Sequence, residues 1–285
     1  MKKRIAILAS QDHGPSHPYP DDVLLLYAFE QLGHRAHIIC WDDEAIDYPH
    51  YDAAIVRSCW DYDQRLPEFM NRLAHIHKHT VLLNPYEIIR ANADKQYLLT
   101  LEQSGMPIVP TLFIRDAEDL HVPESWKRVI VKPTVSASGR DISLHVASDP
   151  QGIHAAIAAL TKKGKTAMLQ EYQPSIEEYG ERSSVMIAGE TTFTMKKTPK
   201  DGNFLVHKHH GGTYIPVETT LEEEKFLDLL IQKIAEVPLY MRVDYLRRKD
   251  GLICLLELEQ IEPNLYLCEN DKGLGLLVQE TLNRI

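Results

Sequence analysis

Short apolar runs alternate with longer segments of mixed polarity along the first third of the chain. This alternation of strands and helices predicts a parallel sheet covered by helices, and functional groups gather at the carboxyl ends of such strands. The predicted strands are residues 4–10, 34–41, 51–60 and 80–85, and the predicted helices are residues 21–33 and 66–79. The first helix is expected to open at Asp21 or Asp22 and to close at Gly33. We expect the loops at residues 10–22 and 57–63 to lie at the functional edge of the sheet.

The second unit, residues 92–166, begins with a predicted helix over residues 92–104. Gly105 follows at the position where helices commonly end. A loop rich in serine and glycine covers residues 136–141. The other predicted elements are strands at residues 109–114, 128–134 and 142–147 and a helix at residues 150–160.

The third unit, residues 167–285, contains a loop rich in glycine and histidine at residues 201–213. Its predicted elements are a strand at residues 167–172, a hairpin turn at Ala188-Gly189, and helices at residues 220–236 and 273–284. Thr220 and Glu223 form a capping box at the start of the first of these helices. With residues 1–91 as the first unit, the sequence predicts an α/β (α+β) protein of three domains.

An acidic hairpin is predicted near the end of the chain. The Asp-Gly pair at 250–251 is a strong signal for a two-residue turn between two apolar runs. If this pair forms the turn, Asp244 lies opposite Glu257 and Arg242 lies opposite Glu259, all on one face. Repulsion among the three carboxylates would favour a divalent cation such as Mg²⁺. The alternative is that Arg242 pairs with Glu259 and the other carboxylates face water.

Composition limits the classes of function. The chain has 285 residues, of which 44% are hydrophobic and 25% are charged, as expected of a globular protein with a full core. Its formal net charge of −10 argues against nucleic acid or an anionic membrane as the main partner. The four cysteines show no metal-site spacing and no disulfide framework, and no segment is apolar over a membrane-spanning length. We therefore expect a cytoplasmic protein.

Two lysines are candidates for binding an anion, although the sequence contains neither a P-loop nor a dinucleotide-binding glycine motif. Lys132 ends an apolar strand, and the following loop, which contains Ser138, offers several small hydrogen-bond donors. Lys95 is predicted in the first turn of a helix, where a cation opposes the helix dipole and a bound anion would explain it. For either lysine, an ordinary solvated side chain is the alternative.

Three further segments carry polar groups beside predicted strand ends or in loops. Residues 170–173 lie at the end of a predicted strand, where free backbone groups could form hydrogen bonds with the edge of an adenine ring. Glu181, beyond them, could bind ribose hydroxyls. Arg57, within the segment RSCWDY at 57–62, could form a bidentate ion pair with a substrate carboxylate. The histidine-rich loop suits an anion or a substrate better than a zinc ion, because no partner stands at zinc-site spacing. The alternative for each of these segments is an ordinary solvent-exposed surface without a binding role.

Taken in order, these segments resemble the ATP-grasp superfamily in its glutathione-synthetase-like branch, and the resemblance covers nearly the whole chain. It is carried by the strand VIVKP at 129–133 with its loop, and by RVD at 242–244 followed by LELE at 256–259. RSCWDY at 57–62 and LELEQIEP at 256–263 look most like the subgroup containing the cyclo-ligase of cycloserine biosynthesis. The resemblance implies an N-terminal Rossmann-like parallel-sheet domain, a small central α+β lid domain and a C-terminal antiparallel-sheet domain.

The resemblance further implies an ATP-dependent carboxylate–amine ligase, which activates a small amino acid or peptide-like acid as an acylphosphate that an amine then attacks. ATP and Mg²⁺ are the implied cofactors, with two ions expected and Mn²⁺ as a substitute, and a homodimer is a further expectation. The implied ATP-binding residues are Lys95, Lys132, Ser138, Gln170, Glu171, Tyr172, Gln173 and Glu181. The implied metal ligands are Asp244, Glu257 and Glu259. The implied catalytic residues are Lys132, Lys208 and Arg57, and the implied substrate-binding residues are Arg57, Ser58, Asp61, Tyr62, Arg242 and Asn264.

The sequence departs from the family pattern at two positions. The branch usually ends its metal motif with Glu-x-Asn, whereas this chain has Glu257-x-Glu259, and the extra negative charge should tighten cation binding. The subgroup tends to carry an arginine where this chain has Leu205, and Lys208 or the histidines on either side of it are candidates to replace it. A non-catalytic or regulatory ATP-binding protein is therefore the alternative. A metal-dependent phosphoesterase is a weaker one, since it leaves both anion-binding lysines unexplained.

Overall fold

The computed structural model describes residues 1–114 and 120–285 and begins with a sheet of four parallel strands. The strands are β1 (Arg4–Ala9), β2 (Arg35–Cys40), β3 (Ala53–Val56) and β4 (Val81–Leu83), in the order β2-β1-β3-β4. Helix α1 (Pro20–Gln31) packs into the core on one face of the sheet and α2 (Leu66–His79) into the core on the other. Coverage on both faces explains why the strands are almost continuously apolar. The predicted N-terminal parallel sheet is confirmed.

The first helix begins at Pro20, a residue that suits the first helical turn, and not at Asp21 or Asp22 as predicted. Both aspartates lie buried within that turn and bind other segments. Asp21 Oδ2 accepts a hydrogen bond of 2.8 Å from the backbone N–H of Leu267, and Asp22 accepts one from the Ser58 hydroxyl. These aspartates therefore connect the helix to loops at the functional edge of the sheet.

Two short helices, α3 (Tyr86–Asn92) and α4 (Tyr97–Gln103), replace the single helix predicted over residues 92–104. Lys95 lies in the turn between them, where its backbone N–H donates to the Thr134 carbonyl at 2.9 Å. The helix-dipole argument for an anion beside Lys95 is therefore wrong. The turn still directs the Lys95 side chain toward the serine- and glycine-rich loop, where it contacts Ser136. Gly105, with a φ of 90°, follows the end of α4 as predicted.

The second sheet has four antiparallel strands covered by one helix. The elements are β5 (Thr111–Phe113), β6 (Arg128–Pro133), β7 (Ser143–Val146), α5 (Pro150–Lys162) and β8 (Ala167–Glu171), with the strand order β5-β8-β6-β7. Strand β8 pairs with both β5 and β6, so the predicted boundary between residues 166 and 167 falls inside this sheet. Side chains of α5 pack on the sheet in a separate small core.

The third sheet has five antiparallel strands in the order β11-β10-β9-β12-β13. Its elements and the two helices beside it are β9 (Glu181–Ile187), β10 (Glu190–Thr198), β11 (Thr213–Val217), α6 (Leu221–Lys233), β12 (Tyr240–Arg247), β13 (Ile253–Glu259) and α7 (Asp271–Asn283). The predicted capping box of Thr220 and Glu223 is present at the start of α6. Strand β11 was not predicted, and Pro216 within it is tolerated because the strand lies at the sheet edge. Within the two described ranges, no helix is long and apolar enough to cross a membrane.

The acidic hairpin β12–β13 has the predicted acid pairing but a different turn. Asp244 lies opposite Glu257 and Arg242 opposite Glu259, as predicted. The turn, however, contains the three residues 249–251 instead of two, because the Arg248 N–H donates to the Leu252 carbonyl at 2.9 Å. The error arose because the left-handed glycine of an Asp-Gly pair also serves a three-residue turn.

A β-bulge restores the predicted pairing. A three-residue turn alone would place Leu256 opposite Asp244, but the register shifts between the pairs Tyr245–Leu255 and Asp244–Glu257. Leu256 is therefore the extra residue of the bulge, and it lines the same cavities as Glu257. The bulge thus places an apolar and an acidic side chain next to each other on the functional face.

Candidate active site

A polar cavity of about 220 Å³ lies where the three sheets meet. Its walls come from β6 and the loop after it, from β9 and β10, and from the acidic hairpin and the segment that follows it. Many of the predicted site residues line it together: Tyr62, Lys95, Lys132, Ser138, Glu181, Arg242, Asp244, Glu257, Glu259 and Asn264. The sequence separation of these residues shows that the cavity is assembled by the fold from all three predicted units.

A smaller, more apolar cavity of about 110 Å³ adjoins the polar one. Its lining includes the predicted segment Gln170, Glu171, Tyr172 and Gln173. Ile130, Leu246 and Leu256 add apolar side chains to its walls. Because Lys132, Glu181 and Glu257 line both cavities, the two are joined. The shape suits an elongated ligand with an apolar, flat end and a charged end.

Two buried lysines face Glu257 in the polar cavity. Lys95 Nζ donates to the Ser136 carbonyl at 2.9 Å and lies 3.2 Å from a carboxylate oxygen of Glu257. Within the described part of the chain, Lys132 Nζ has no ion-pair partner, and burial, reinforced by the nearby Lys95, lowers its pKa to about 8. Burial opposes ionisation of Glu257, but Lys95 and Lys132 outweigh it and lower the pKa of Glu257. A concentrated positive charge of this kind suits an anion such as phosphate.

Arg242 holds two carboxylates of the acidic hairpin. Its Nε and Nη2 atoms donate to the two oxygens of Asp244 at 2.9 and 2.8 Å, and Nη2 also donates to Glu259. Asp244 accepts a further hydrogen bond from the Ser183 hydroxyl. These donors outweigh the burial penalty and lower the pKa of Asp244. Burial raises the pKa of Glu259 to about 7, although Arg242 acts in the opposite direction.

Lys197 on β10 was missed by the sequence analysis and lies at the centre of the polar cavity. Its Nζ atom is 2.9 Å from Glu181 and 3.8 Å from Asp244, and the side chain is 4% exposed. Burial opposes its charge, but the two carboxylates raise the pKa of Lys197 above its ordinary value. Lys197 lies in the hairpin predicted around Ala188-Gly189, but the sequence carries no signal for the bulge that brings it opposite Glu181.

The predicted metal ligands are close together but occupied by basic side chains. Arg242 contacts Asp244 and Glu259, and Lys95 contacts Glu257. Among residues 1–114 and 120–285, no three carboxylate, imidazole or thiol groups are arranged to hold a metal ion. The donor chemistry still fits a hard cation, because three carboxylates share one face of the hairpin. Their assignment as metal ligands stays a prediction and requires that the basic side chains release carboxylate oxygens.

The serine- and glycine-rich loop after β6 is fixed over the cavity by the N-terminal domain. Arg140 forms an ion pair with the buried Asp63, and its Nη2 atom donates to the Trp60 carbonyl at 2.7 Å. On the other side of the loop, Gly139 has a φ of 70°, and a Cβ atom there would lie 2.8 Å from Cε1 of His207. Glycine is therefore required at this close approach of two loops.

His207 lines both cavities, whereas Lys208 and His209 are exposed. Burial, with the positive charge of Lys197, lowers the pKa of His207 to about 4, so its imidazole is neutral at pH 7. Of the three side chains considered as substitutes for the missing arginine at Leu205, His207 is the one placed to contact a ligand. Lys208 Nζ instead lies 5.1 Å from the centre of the Tyr214 ring.

Four predicted site residues do not line either cavity: Arg57, Ser58, Asp61 and Lys208. Arg57 is buried below the cavity, where Nη2 donates to the Pro263 carbonyl at 3.1 Å and Nε lies 3.8 Å from Asp22. Asp61 accepts a hydrogen bond of 2.9 Å from the indole of Trp41. Direct substrate contact by Arg57, Ser58 or Asp61 is therefore not supported. Instead, Trp60 and Glu262, which the sequence analysis did not assign, line the cavity from these segments.

The sequence matches two family models. Residues 5–84 match the N-terminal domain of D-cycloserine synthetase DcsG, and residues 96–242 match the ATP-grasp domain of prokaryotic glutathione synthetase. The cycloserine biosynthesis protein DcsG of Streptomyces lavendulae is 26% identical over 288 residues, which cover 92% of each chain.

Solved structures share the fold. The crystal structure of D-cycloserine synthetase DcsG matches with a TM-score of 0.87 and 24% identity, covering 99% of both chains. The D-alanine–D-alanine ligase of Bacillus anthracis, complexed with ATP, matches with a TM-score of 0.68 and 13% identity, covering 99% of this chain and 96% of the ligase. The overall fold is thus shared with these proteins.

Proposed function

Because this chain belongs to the family of the prokaryotic glutathione synthetase ATP-grasp domain, we propose that it uses ATP to join a small amino acid or peptide-like acid to an amine. The predicted resemblance to the ATP-grasp superfamily and its glutathione-synthetase-like branch is confirmed, as is the predicted fold class. The chain is an ATP-grasp ligase, an enzyme that forms a C–N bond. The non-catalytic alternative is therefore not retained.

One observation carries the proposal for this site: Lys132 and Lys95 face Glu257 at the junction between an apolar slot and a polar cavity. In this assignment the slot holds the adenine, with residues 170–173 at its rim and Leu256 on its wall. Glu181, at the junction, is positioned for the ribose hydroxyls. The triphosphate then extends past Lys132 and Lys95, whose charges offset the negative charge of the phosphates.

Asp244, Glu257 and Glu259 are the residues that would hold Mg²⁺ in this site. A divalent cation bound there would neutralise phosphate charge and orient the transferring group. When ATP binds, its phosphates compete with Glu257 for Lys95, which leaves the Glu257 carboxylate available as an oxygen donor. Two ions, or Mn²⁺ in place of Mg²⁺, fit the same set of carboxylates.

The proposed reaction has two steps. A carboxylate oxygen of the acid attacks the γ-phosphorus of ATP, the bond to the β-phosphate bridging oxygen breaks, and ADP leaves. The amine then attacks the acyl carbon, loses a proton and expels phosphate, giving the amide. The loop after β6, held by Asp63 and touching His207 through Gly139, covers the site and limits hydrolysis of the acylphosphate by water.

The acid and amine are proposed to enter from the side of Trp60, Asn264 and Tyr266, which line the polar cavity. Asn264 donates to the Tyr19 hydroxyl at 2.9 Å, so its side chain is held in position. The missing arginine at Leu205 implies a substrate different from that of the cycloserine relatives, with His207 as the nearby neutral donor.

The experiment that tests this function supplies MgATP with pooled amino acids and dipeptides and measures ADP and phosphate release. Mass spectrometry of active pools would identify the ligated product. We expect phosphate release only when a matching acid and amine are both present. Saturable ATP binding without phosphate release in any pool would contradict the proposal. Release of phosphate without a matching acid would contradict the acylphosphate step.

A further inference from the structure

Glu262 is a buried carboxyl group at the substrate side of the polar cavity. It is 7% exposed, and it lines the cavity together with Trp60, Tyr62 and Asn264. Within residues 1–114 and 120–285, its carboxylate forms no ion pair and no hydrogen bond with another side chain. Its carboxylate accepts a hydrogen bond from its own backbone N–H but contacts no cation in the described part of the chain, which is unfavourable for a buried charge, so the position calls for an explanation.

The other carboxylates of the cavity all have a cation. Arg242 contacts Asp244 and Glu259, Lys95 contacts Glu257, and Lys197 contacts Glu181. Lys132, the remaining cation of the lining, lies at the junction with the apolar slot, where the phosphates are assigned. Glu262 is therefore unmatched by the protein itself.

The backbone at Glu262 and Pro263 is held in place by the N-terminal domain. The Trp60 indole donates to the Glu262 carbonyl at 3.0 Å, and Arg57 donates to the carbonyl of Pro263 at 3.1 Å. Trp60 itself packs edge-to-face against Tyr19, with ring centres 4.7 Å apart. The backbone that carries the Glu262 side chain is thus held beside the cavity.

A positive charge on a ligand would supply the cation that Glu262 lacks. Burial, reinforced by Glu259, raises the pKa of Glu262 above its ordinary value, although the more distant Arg242 and Lys95 act in the opposite direction. An ammonium group in the cavity would reverse this effect and pair with the carboxylate. The indole of Trp60, on the same cavity wall, suits a cation as well.

We propose that Glu262 binds an ammonium group of the substrate, so that the site selects amino acids over acids that lack a protonated amine. This inference rests on the proposed ligase function and specifies the chemistry of its acid substrate. It also gives RSCWDY a role: Arg57 and Trp60 position the segment that carries Glu262, and Trp60 and Tyr62 line the cavity.

The test uses hydroxylamine, which traps an activated acid as a hydroxamate whatever the natural amine is. Each α-amino acid of a panel of both enantiomers is compared with the corresponding 2-hydroxy acid, in which a hydroxyl replaces the ammonium. With MgATP, we expect the wild-type protein to form hydroxamate from at least one amino acid about 30-fold more efficiently than from its hydroxy counterpart, as for a buried charge pair.

The Glu262→Gln variant should lose this preference and show a KM for the amino acid raised about 30-fold, with the KM for ATP changed less than twofold. The conservative variant Glu262→Asp keeps the charge and should keep the preference. Glu269→Gln, at an exposed position nearby, is the matched control and should behave like the wild type. Melting temperatures of all three variants establish that each is folded.

Two results would be decisive against the assignment. A Glu262→Gln variant that keeps the preference for amino acids overturns it, as does a wild-type protein that activates hydroxy acids equally well. Failure of the ligase function is seen separately, as absence of hydroxamate from every acid in the panel, and it removes the basis for the ammonium site as well.

Discussion

The hairpins β9–β10 and β12–β13 belong to the same sheet, and each contains one β-bulge, but the bulges have different consequences. In β9–β10 the predicted two-residue turn at Ala188-Gly189 is present, and the bulge shifts the register so that Lys197 lies opposite Glu181 instead of Gly180. In β12–β13 the turn is one residue longer than predicted, and the bulge cancels that difference. The bulge in β9–β10 thus moves a site residue, whereas the bulge in β12–β13 restores the predicted pairing.

This difference shows that a turn determines the cross-strand pairing only as far as the next bulge. The functional ends of both hairpins lie beyond the bulge, at Lys197 and Glu181 in one and at Glu257 and Asp244 in the other. Each bulge therefore decides which side chain meets a carboxylate across the sheet. We therefore expect substitutions in β12–β13 to affect catalysis and substitutions in β9–β10 to affect stability.

The largest effect is expected at the end of β13. Glu257→Gln removes the charge that faces Lys95 and Lys132, and we expect turnover to fall about 100-fold or more while ATP affinity changes less than about threefold. Steady-state kinetics and calorimetric titration with ATP would measure both. Asp250→Asn, in the exposed turn of the same hairpin, is the control. An unchanged rate in Glu257→Gln would refute the role assigned to this carboxylate.

On β10 we expect a loss of stability. Lys197→Met leaves Glu181 and Asp244 without a shared cation, and breaking a buried ion pair from one side costs about 3 kcal/mol or more. Urea unfolding would measure the loss. Lys196→Met is the matched control, because this neighbour points away and donates only to the Glu178 carbonyl at 2.7 Å, so we expect a change below about 1 kcal/mol.

A second change would sharpen the result for Lys197. Adding Glu181→Gln to Lys197→Met removes the charge left without an ion-pair partner, since Asp244 keeps Arg242, and should recover part of the lost stability. If Lys196→Met proved as destabilising as Lys197→Met, the register observed for β10 could not account for the effect.

The sequence predicts the site residues that depend on a local pattern and misses those that depend on a bulge or on distant contacts. The Asp244–Glu257 pair was predicted from a two-residue turn, and it is present because the bulge offsets the longer turn. Lys132 and Glu181 were accessible because strand alternation is local. Lys197 was not, because the bulge after Thr191 has no sequence signal that could be read from one chain. Arg57 was placed wrongly for a different reason: the end of β3 was predicted, but the burial of its side chain depends on Asp22 and Pro263 from distant segments.

The fold could be predicted more completely than the site. The four parallel strands and the two helices that flank them followed from apolar runs and their spacing. The end of α3 at Asn92 and the start of α4 at Tyr97 did not, because the turn between them depends on the contact of Lys95 with Thr134, which a helical pattern cannot reveal. Strand β11 was obscured by Pro216, which is acceptable only at a sheet edge.

An intermediate effect is expected at the extra residue of the β13 bulge. Leu256→Ala removes part of the apolar slot wall while leaving the backbone pairing intact, and we expect the Kd for ADP to rise about tenfold. Isothermal titration would measure it. Leu252→Ala, on the same hairpin and 47% exposed, should leave the Kd unchanged. Equal effects at both positions would argue against a base-binding slot beside Leu256.

A smaller effect is expected from a change of pH, because the pKa values of Lys132 and Lys197 are shifted in opposite directions. The pKa of Lys132 is lowered from 10.5 to about 8, whereas that of Lys197 is raised. As pH rises through 8, Lys132 loses its charge and the KM for ATP should increase several-fold by pH 9. Lys132→Arg stays charged at this pH and should flatten the profile. A KM for ATP that is constant from pH 7 to 9 in the wild type would contradict the role of Lys132.

The same shifts predict the stability over this pH range. The folded protein disfavours charged Lys132, so that penalty disappears as pH rises from about 8 toward 10.5, and folding is not weakened there. The ion pairs of Lys197 contribute stability that is complete below 10.5 and is lost only above it. Urea unfolding at pH 7 and pH 9 should therefore show no loss of stability while ATP binding weakens.

The smallest effect is expected in the turn of β12–β13. Deleting Lys249 leaves Asp250-Gly251 as a two-residue turn between Arg248 and Leu252, which already pair. Because the Asp-Gly pair suits such a turn and the bulge lies farther along the strand, the pairing of Asp244 with Glu257 should not change. We expect the free energy of unfolding to change by less than about 1 kcal/mol and turnover to stay the same. A large loss of turnover would mean that the turn, and not the bulge, sets the position of the carboxylates.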